Sequence, residues 1–381
     1  MRFLSVVLLS FGTLAAAAQK PRARDLGVPF EGRPGPNNAI TDVPGVLVGY
    51  KTLVSGAAGK GAVRTGVTVI LPQGRSNRAW PAGWFCLNGD GEMTGTTVID
   101  EYGFGYGPIG ITNTNSVGVV RDAIGAWSTR NFPGQGSFDF SFGLPVAAET
   151  YDGMLNDING LHVTKEHVWS ALDSARSGPV AEGNVGGGTG MSLFLFKGGS
   201  GTASRTVRID SSTTYTVGVF VQGNFGGRRD LLIAGVPVGA EIKDLMPVFN
   251  DAPKKKDGSI IVVIVTDAPL LPGQLQQLAK RASIGVARTG GYGYNSSGDL
   301  FLAASTRAPA DNAKGTLQTW TALPKERVDG LYRAVATATE EAIINALVAA
   351  ETMEGINNNI IYALPHDRLQ ELLKKYNRSS K

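Results

Sequence analysis

The sequence predicts a mixed α/β fold with many short strands, organised as one large domain. β-rich runs bounded by glycine and proline alternate with segments whose apolar residues recur at helical spacing. The continuous Ile and Val run of residues 260–265 is typical of a strand buried on both faces of its sheet. The 51 glycines among 381 residues follow no period, which indicates many tight turns rather than a fibrous repeat.

The individual elements follow from these local patterns. Strands are predicted over residues 46–50, 65–71, 109–114, 216–221 and 259–266. Helices are predicted over residues 144–155, 164–175, 272–282, 327–350 and 367–376. Pro272 stands at a natural first-turn position of its helix, and Asp367 is predicted to cap the last one.

The amino terminus has the three parts of a secretory signal peptide. Met1 and Arg2 give a short positive region, residues 3–14 are apolar, and residues 15–18 are four alanines suited to cleavage. The predicted signal peptide therefore covers residues 1–18, and the mature chain is a single domain over residues 19–381. We expect export to the periplasm or the medium; the alternative is an uncleaved membrane anchor.

Composition excludes several classes of site. The net charge of +4 includes no basic stripe with interleaved aromatics, so nucleic-acid binding is not expected. The single cysteine, Cys86, allows no intramolecular disulfide, and its apolar surroundings predict a buried side chain. The three histidines show no metal-ligand spacing, and no G-x-S-x-G motif surrounds any serine, so neither a metal nor another cofactor is expected. The glycine-rich segment 183–190 lacks the Lys-Ser/Thr ending of a phosphate loop, which favours a structural turn.

Ser259 stands where a charged loop enters the apolar run. The pattern by itself favours a simple Asp-Gly-Ser turn that starts a strand. The second interpretation is a hydroxyl nucleophile whose own α-amine acts as the base, which requires cleavage of Gly258–Ser259. A free α-amine has a pKa of about 7.7–8.0, so part of it is neutral near pH 7.

A second polar cluster precedes the apolar run of residues 300–304. Ser297 and Asp299 alternate at strand spacing and are predicted to face one side. Such a hydroxyl–carboxylate pair beside an amine could orient it and carry its proton. The alternative is an Asx or Ser turn.

Several motifs in order resemble the DmpA-type aminopeptidases, the L-aminopeptidase/D-esterase and β-peptidyl aminopeptidase family. The resemblance runs from about Asp25 to Leu373. The matching segments are residues 38–46, 112–118, 145–153, 182–191, 223–226, 258–259 with 266–270, and 295–299. One departure is Ser296, where the family pattern leads us to expect glycine.

The resemblance implies a fold, a processing step and site roles. The fold would be an α/β/β/α sandwich similar to N-terminal-nucleophile hydrolases but differently connected. The precursor would cut itself into chains 19–258 and 259–381, which stay together and assemble further, commonly as four αβ units. The implied site residues are the nucleophile Ser259 with the supporting pair Ser297 and Asp299, the oxyanion donor Asn224, the site tyrosine Tyr151, and Glu149, which receives the substrate's free amine.

The predicted function is a self-processing serine aminopeptidase or amidase. Its substrates would be short peptides, aminoacyl amides or esters with a free amine, including β-amino-acid or D-amino-acid derivatives. One alternative is an amidase of non-peptide ω-amino oligomers, although the related enzymes of that class use threonine. The other is an exported binding protein that keeps the fold without catalysis. No nucleic acid is an expected partner, nor is a membrane after removal of the signal.

Overall fold

In a computed structural model, the structure describes residues 20–133, 143–250, 258–308 and 319–380. The predicted signal peptide lies outside these residues. The strands are β1 (Leu47–Ser55), β2 (Val63–Leu71), β3 (Ala79–Gly89), β4 (Phe104–Tyr106), β5 (Ile109–Asn113), β6 (Val146–Thr150), β7 (Ser192–Leu193), β8 (Phe196–Lys197), β9 (Ser200–Arg208), β10 (Thr214–Asn224), β11 (Gly258–Thr266), β12 (Ser297–Ser305), β13 (Met353–Glu354) and β14 (Ile360–Ile361). The helices are α1 (Thr96–Tyr102), α2 (Val117–Asn131), α3 (Lys165–Ser174), α4 (Val238–Glu241), α5 (Pro272–Arg288), α6 (Asp329–Val348) and α7 (His366–Lys375).

Two sheets pack face to face between two helical layers. One sheet has the strand order β1-β2-β5-β6 and the other the order β4-β3-β12-β11-β10-β9. A buried apolar layer joins them, helices α2 and α3 cover the first sheet, and α5, α6 and α7 cover the second. The layers confirm the predicted α/β/β/α sandwich.

Strand β11 lies inside the six-stranded sheet, antiparallel to β10 and parallel to β12. Ile260, Val262 and Ile264 pack towards α5 and α6. Ile261, Val263 and Val265 face the other sheet. The continuous apolar run therefore occupies a strand covered on both faces, as predicted, and all six side chains are removed from solvent.

The structure corrects three expectations. Residues 144–155 do not form a helix, because residues 146–150 pair in parallel with β5 and are fully buried, so sheet packing overrides the helical preference of alanine and glutamate. Cys86 is exposed rather than buried, because it lies on the end of β3 that extends past its pairing with β4. Asp367 lies in the first turn of α7, where Pro365 is the capping residue.

The other predicted elements are present. The helices predicted at 164–175, 272–282 and 327–350 correspond to α3, α5 and α6, and Pro272 opens α5. The glycine-rich segment 183–190 is a buried turn containing the short 3-10 helix Gly186–Gly188, which confirms the structural interpretation. The five predicted strands correspond to β1, β2, β5, β10 and β11. The strands that were not predicted, apart from β6, are β3, β4, β7, β8, β9, β12, β13 and β14.

A buried ion cluster ties the amino-terminal arm to α6. The Glu341 carboxylate accepts from Nε and Nη2 of Arg24 at 2.7 Å each, and Nη2 of Arg205 lies 2.7 Å from Oε2. Burial would raise the pKa of Glu341, but hydrogen bonds and charges from Arg24, Arg205 and Asn38 bring it below its usual value. Glu341 therefore links residues on both sides of position 258.

We expect Glu341→Gln to lower the free energy of unfolding by about 3–5 kcal/mol, because the substitution leaves two partly or fully buried arginines without their counter-charge. Urea unfolding at pH 7 measures the change, and the exposed Glu326→Gln is the control, with an expected change below about 0.5 kcal/mol.

Because the pKa of Glu341 is depressed in the folded state, its contribution to the free energy of unfolding is present above the unfolded-state pKa of about 4.3. That contribution is lost as the pH falls through the folded-state pKa. Equal effects of the two substitutions would contradict this role.

Candidate active site

Ser259 is the second residue of β11 and is buried. Its Oγ has no hydrogen-bond partner among the residues that the structure describes. The strand runs unbroken from Gly258 into Ser259, so the Ser259 nitrogen is still an amide here. The Ser259 hydroxyl is therefore buried and receives no hydrogen bond from any described residue.

Asn224 lies directly opposite Ser259 across the β10–β11 pair. Side chains at such opposed positions leave the same face of the sheet with their Cβ atoms about 4.5–5.5 Å apart. The Asn224 Oδ1 accepts from the backbone N–H of Ser192 at 2.9 Å. Because an N–H can only donate, this bond fixes which end of the amide is oxygen. The other end, Nδ2, is buried and has no partner among the described residues, so it remains available as a donor beside Ser259.

Ser297 and Asp299 form a hydrogen-bonded pair at the start of β12. Ser297 Oγ donates to Asp299 Oδ1 at 2.7 Å, which confirms that the two side chains share a side. Asn88 on β3 donates from Nδ2 to the second oxygen, Oδ2, at 2.8 Å. Burial raises the pKa of Asp299, and the hydrogen bonds from Ser297 and Asn88 oppose that rise.

The pair lies beside the backbone junction before Ser259. Ser297 is in register with Gly258, and a Cβ built on Gly258 would lie 3.2 Å from Ser297 Oγ. Strand alternation puts the pair on the sheet face of Phe301, whereas Ser259 projects from the face of Ile261. The pair is thus placed to act on the backbone nitrogen of Ser259 rather than on its hydroxyl.

Glu149 comes from the other sheet, near the end of β6, and is buried. Its Oε1 accepts from the backbone N–H of Glu92 at 3.0 Å, and Thr114 Oγ1 donates to Oε2. Burial raises the pKa of Glu149, and these two hydrogen bonds act against the rise. Gly91 separates this carboxylate from the end of the six-stranded sheet that holds Ser297 and Asp299. A Cβ built on Gly91 would lie 3.3 Å from Glu149 Oε1 and 3.0 Å from Gly298 Cα.

Tyr151 follows β6 two residues after Glu149 and is half-buried. Its phenol packs against Gly153. Since Ser259 Oγ has no partner among the described residues, Tyr151 does not hydrogen-bond to it in the uncut form. The structure thus brings Ser259, Asn224, Ser297 and Asp299 together at one end of the sheet, and it adds Glu149 through Gly91.

Three contributors to the site were not predicted. Asn88 belongs to none of the sequence motifs, and its position opposite Asp299 depends on an irregular register in the β3–β12 pair. Thr114 lies in a motif that the sequence analysis used only for resemblance. Ser192 contributes only a backbone N–H, which leaves no signal in the residue types.

Within the residues that the structure describes, no three His, Cys, Asp or Glu side chains are grouped so as to hold a metal ion. Among these residues, too, no helix has the length and apolarity needed to cross a membrane.

The chain is similar to known proteins over nearly all of its length. The sequence model of peptidase family S58 matches residues 38–361. The chain is 51% identical to the β-peptidyl aminopeptidase BapA of Sphingosinicella microcystinivorans, covering 99% of each protein. The structure resembles the L-aminopeptidase D-Ala-esterase/amidase of Ochrobactrum anthropi, described as a prototype for the serine aminopeptidases and a new variant among the Ntn hydrolase fold. The TM-score is 0.87 at 44% identity over 94% of this chain and 100% of that one. It also resembles a Burkholderia β-aminopeptidase, with a TM-score of 0.83 at 45% identity over 93% and 99% of the two chains.

We expect Asn88→Ala to shift the acid limb of the pH dependence of kcat/KM to higher pH. The Asn88 hydrogen bond favours the ionised form of Asp299, so its removal raises the pKa of that carboxyl. A pH profile between about 4 and 8 measures the shift, on the premise that the ionised carboxylate supports turnover. The neighbouring exposed Leu87→Ala is the control; an unmoved acid limb in Asn88→Ala would show that this bond does not tune the pair.

Proposed function

The chain belongs to peptidase family S58 and is a serine aminopeptidase, and from that premise we propose that Ser259 is its nucleophile, released by cleavage of Gly258–Ser259. The enzyme is a hydrolase with the Ntn-hydrolase-like sandwich of its structural relatives. The proposal assigns the chemistry to particular atoms of this chain.

One observation carries the assignment: the cross-strand partners Ser259 and Asn224 each carry a buried polar atom without a hydrogen-bond partner among the described residues. These atoms are Ser259 Oγ and Asn224 Nδ2. An unsatisfied buried polar atom destabilises a fold by about 1–3 kcal/mol. Two such atoms on cross-strand partners indicate a site reserved for a reacting group, with Oγ as the attacking atom and Nδ2 as the donor to an oxyanion.

Self-cleavage uses the same hydroxyl first. Ser259 Oγ attacks the Gly258 carbonyl carbon, the C–N bond to Ser259 breaks, and the proton from Oγ passes to the departing nitrogen. Water then hydrolyses the Gly258 ester, which yields the Gly258 carboxylate and a free Ser259 hydroxyl and amine. Glycine at position 258 leaves space for this step, because Ser297 Oγ and Phe225 already lie close to its Cβ position.

Turnover then uses the new amine as the base. The amine accepts the proton of Oγ as Oγ attacks the substrate carbonyl, and Asn224 Nδ2 donates to the resulting oxyanion. The proton passes to the leaving amine, and water hydrolyses the acyl-enzyme to complete the cycle. The Ser297–Asp299 pair, which already lies beside Gly258, holds the amine and stabilises its protonated form.

Glu149 gives the enzyme its requirement for a free amino terminus. A buried carboxylate that faces a substrate ammonium favours charged substrates, because an uncharged end leaves the carboxylate unpaired. Thr114 and the Glu92 N–H orient the carboxylate and oppose the rise in its pKa that burial causes. We assign Tyr151, on the same strand end, to the wall of the substrate pocket.

The substrates we propose are short peptides, amides and esters with an unblocked amine, including those that begin with a β-amino acid. The names of two relatives support the β-amino preference, since both are β-aminopeptidases and share 45–51% of residues with this chain. We further propose export after removal of residues 1–18 and assembly of several αβ units. The pairings of β10 with β11 and of β3 with β12, together with the Glu341 cluster, support continued association of the two chains after cleavage.

We expect the purified mature protein to contain two polypeptides. The larger would begin at Gln19 and the smaller at Ser259, since one cut removes the signal and the other releases the nucleophile. Intact mass and amino-terminal sequencing identify both ends, and light scattering of the same sample reports the number of αβ units. Ser259→Ala should stay uncut at position 258 and lose all turnover of aminoacyl p-nitroanilides.

The matched control is Ser283→Ala, which alters a helical serine bonded only within α5 and should be processed normally. Turnover by uncut protein, or by Ser259→Ala, would require a different nucleophile.

We expect Glu149→Gln to lower kcat/KM for unblocked aminoacyl substrates by about ten- to hundredfold, equivalent to the loss of one charge-assisted contact. The residual activity towards N-acetylated analogues should change much less, because these carry no ammonium. Glu101→Gln is the control, since Glu101 is an exposed carboxylate of α1 that is not among the charges acting on Glu149. Equal losses on both substrate types would remove the amine-binding role of Glu149.

A further inference from the structure

We propose that residues 88–94, here called the connecting segment, set which acyl length the enzyme accepts, with Gly91 as the specificity-determining residue. The inference rests on the proposed function, in which Glu149 holds the substrate ammonium and Ser259 attacks the carbonyl. These two groups belong to different sheets. The number of backbone atoms that fits between them therefore depends on what holds the sheets apart at this edge.

The first end of the connecting segment is attached to the catalytic pair. Asn88 donates to Asp299 Oδ2 at 2.8 Å, and the Asp90 N–H donates to the Ser297 carbonyl at 3.3 Å. Both bonds reach the first residues of β12, which run in register with Gly258 and its neighbours on β11. This end of the segment cannot shift without moving the residues that flank the nucleophile.

The second end is attached to the strand of the amine-binding carboxylate. The Glu92 N–H donates to Glu149 Oε1 at 3.0 Å. Thr94 bonds to β6 and the residue before it three times: its N–H donates to the Ala147 carbonyl at 2.9 Å, its Oγ1 donates to the Pro145 carbonyl at 2.7 Å, and its Oγ1 accepts from the Ala147 N–H at 2.9 Å. A bridge between Met93 and Ala148 adds a further link.

Gly91 lies between these two attachments and fills the gap between the sheets. A Cβ at this position would lie 3.0 Å from Gly298 Cα and 3.3 Å from Glu149 Oε1. Gly91 has no left-handed backbone angle, so a side chain is excluded by this close approach and not by conformation. The absence of a side chain at residue 91 therefore sets how near the carboxylate approaches the catalytic end of β12.

The distance between the Glu149 carboxylate and the start of β12 determines which acyl length fits. A β-aminoacyl group has one more methylene than an α-aminoacyl group between its ammonium and its carbonyl. This methylene adds one C–C bond, which is about 1.5 Å long. A methyl group added at residue 91 would press on two neighbours. One is the backbone of Gly298, which the sheet holds in place, and the other is the end of the Glu149 side chain, which can rotate. The carboxylate is therefore the group that moves, away from the nucleophile, and the longer acyl group gains.

The test uses the processed enzyme and two p-nitroanilides, β-alanyl and L-alanyl. Gly91→Ala should raise the β-to-α ratio of kcat/KM at least fivefold. Gly89→Ala is the matched control, because its Cβ would meet only Cys86 Sγ at 3.6 Å, an ordinary contact, and its ratio should stay within about twofold of the parent.

An unchanged ratio in folded, processed Gly91→Ala would overturn the proposal, as would an equal change in Gly89→Ala. If Gly91→Ala does not fold, Thr94→Val removes the two side-chain hydrogen bonds at the other end of the segment, and a ratio shifted at least threefold supports the proposal while an unshifted one overturns it. Failure of the proposed function is a separate result, because it appears as turnover by Ser259→Ala whatever the ratio in the Gly91 variant.

Discussion

The site depends on the position of β11 between β10 and β12. Backbone pairing on both sides holds Gly258 and Ser259 at one end of the strand, with Asn224 opposite on one neighbour and Ser297 beside it on the other. A strand held on two sides and buried on two faces cannot relax around its first residues. The Gly258–Ser259 bond, Asn224 and the Ser297–Asp299 pair therefore keep fixed positions relative to one another.

This fixed arrangement accommodates features that would be unfavourable elsewhere in the fold. At the candidate site, Ser259 Oγ and Asn224 Nδ2 are buried without partners among the described residues, and burial raises the pKa values of Glu149 and Asp299. The apolar layers on both sides of the six-stranded sheet stabilise the fold enough to offset these unfavourable groups. Glu341, with arginines from the amino-terminal arm and β9, adds a link between residues on either side of position 258.

The two sheets divide the work of the enzyme. In the proposed mechanism, the six-stranded sheet carries the groups that act on the carbonyl, and the four-stranded sheet carries the carboxylate that selects for a free amine. In our proposal, selection for the acyl length of the substrate depends on the contact between the sheets, where residues 88–94 cross from one sheet to the other. Chemistry and specificity can in this way vary separately, because different strands support them.

The sequence alone determined a mixed α/β fold through its buried run and helical spacings. Its ordered motifs, through their resemblance to the DmpA-type aminopeptidases, implied the sandwich layers and indicated Ser259, Ser297, Asp299, Asn224 and Glu149. It did not determine that residues 146–150 form a strand, because their helix-forming composition is overridden by pairing with β5. Nor did it reveal Asn88 or Gly91, whose effects come from an irregular register and a close approach between the sheets. Residue types and spacings report local preference and burial, so they predicted the elements, while the ordered family motifs indicated the candidate site residues. Distances between groups that are far apart in the chain depend on how the two sheets pack, and only the tertiary structure decided them.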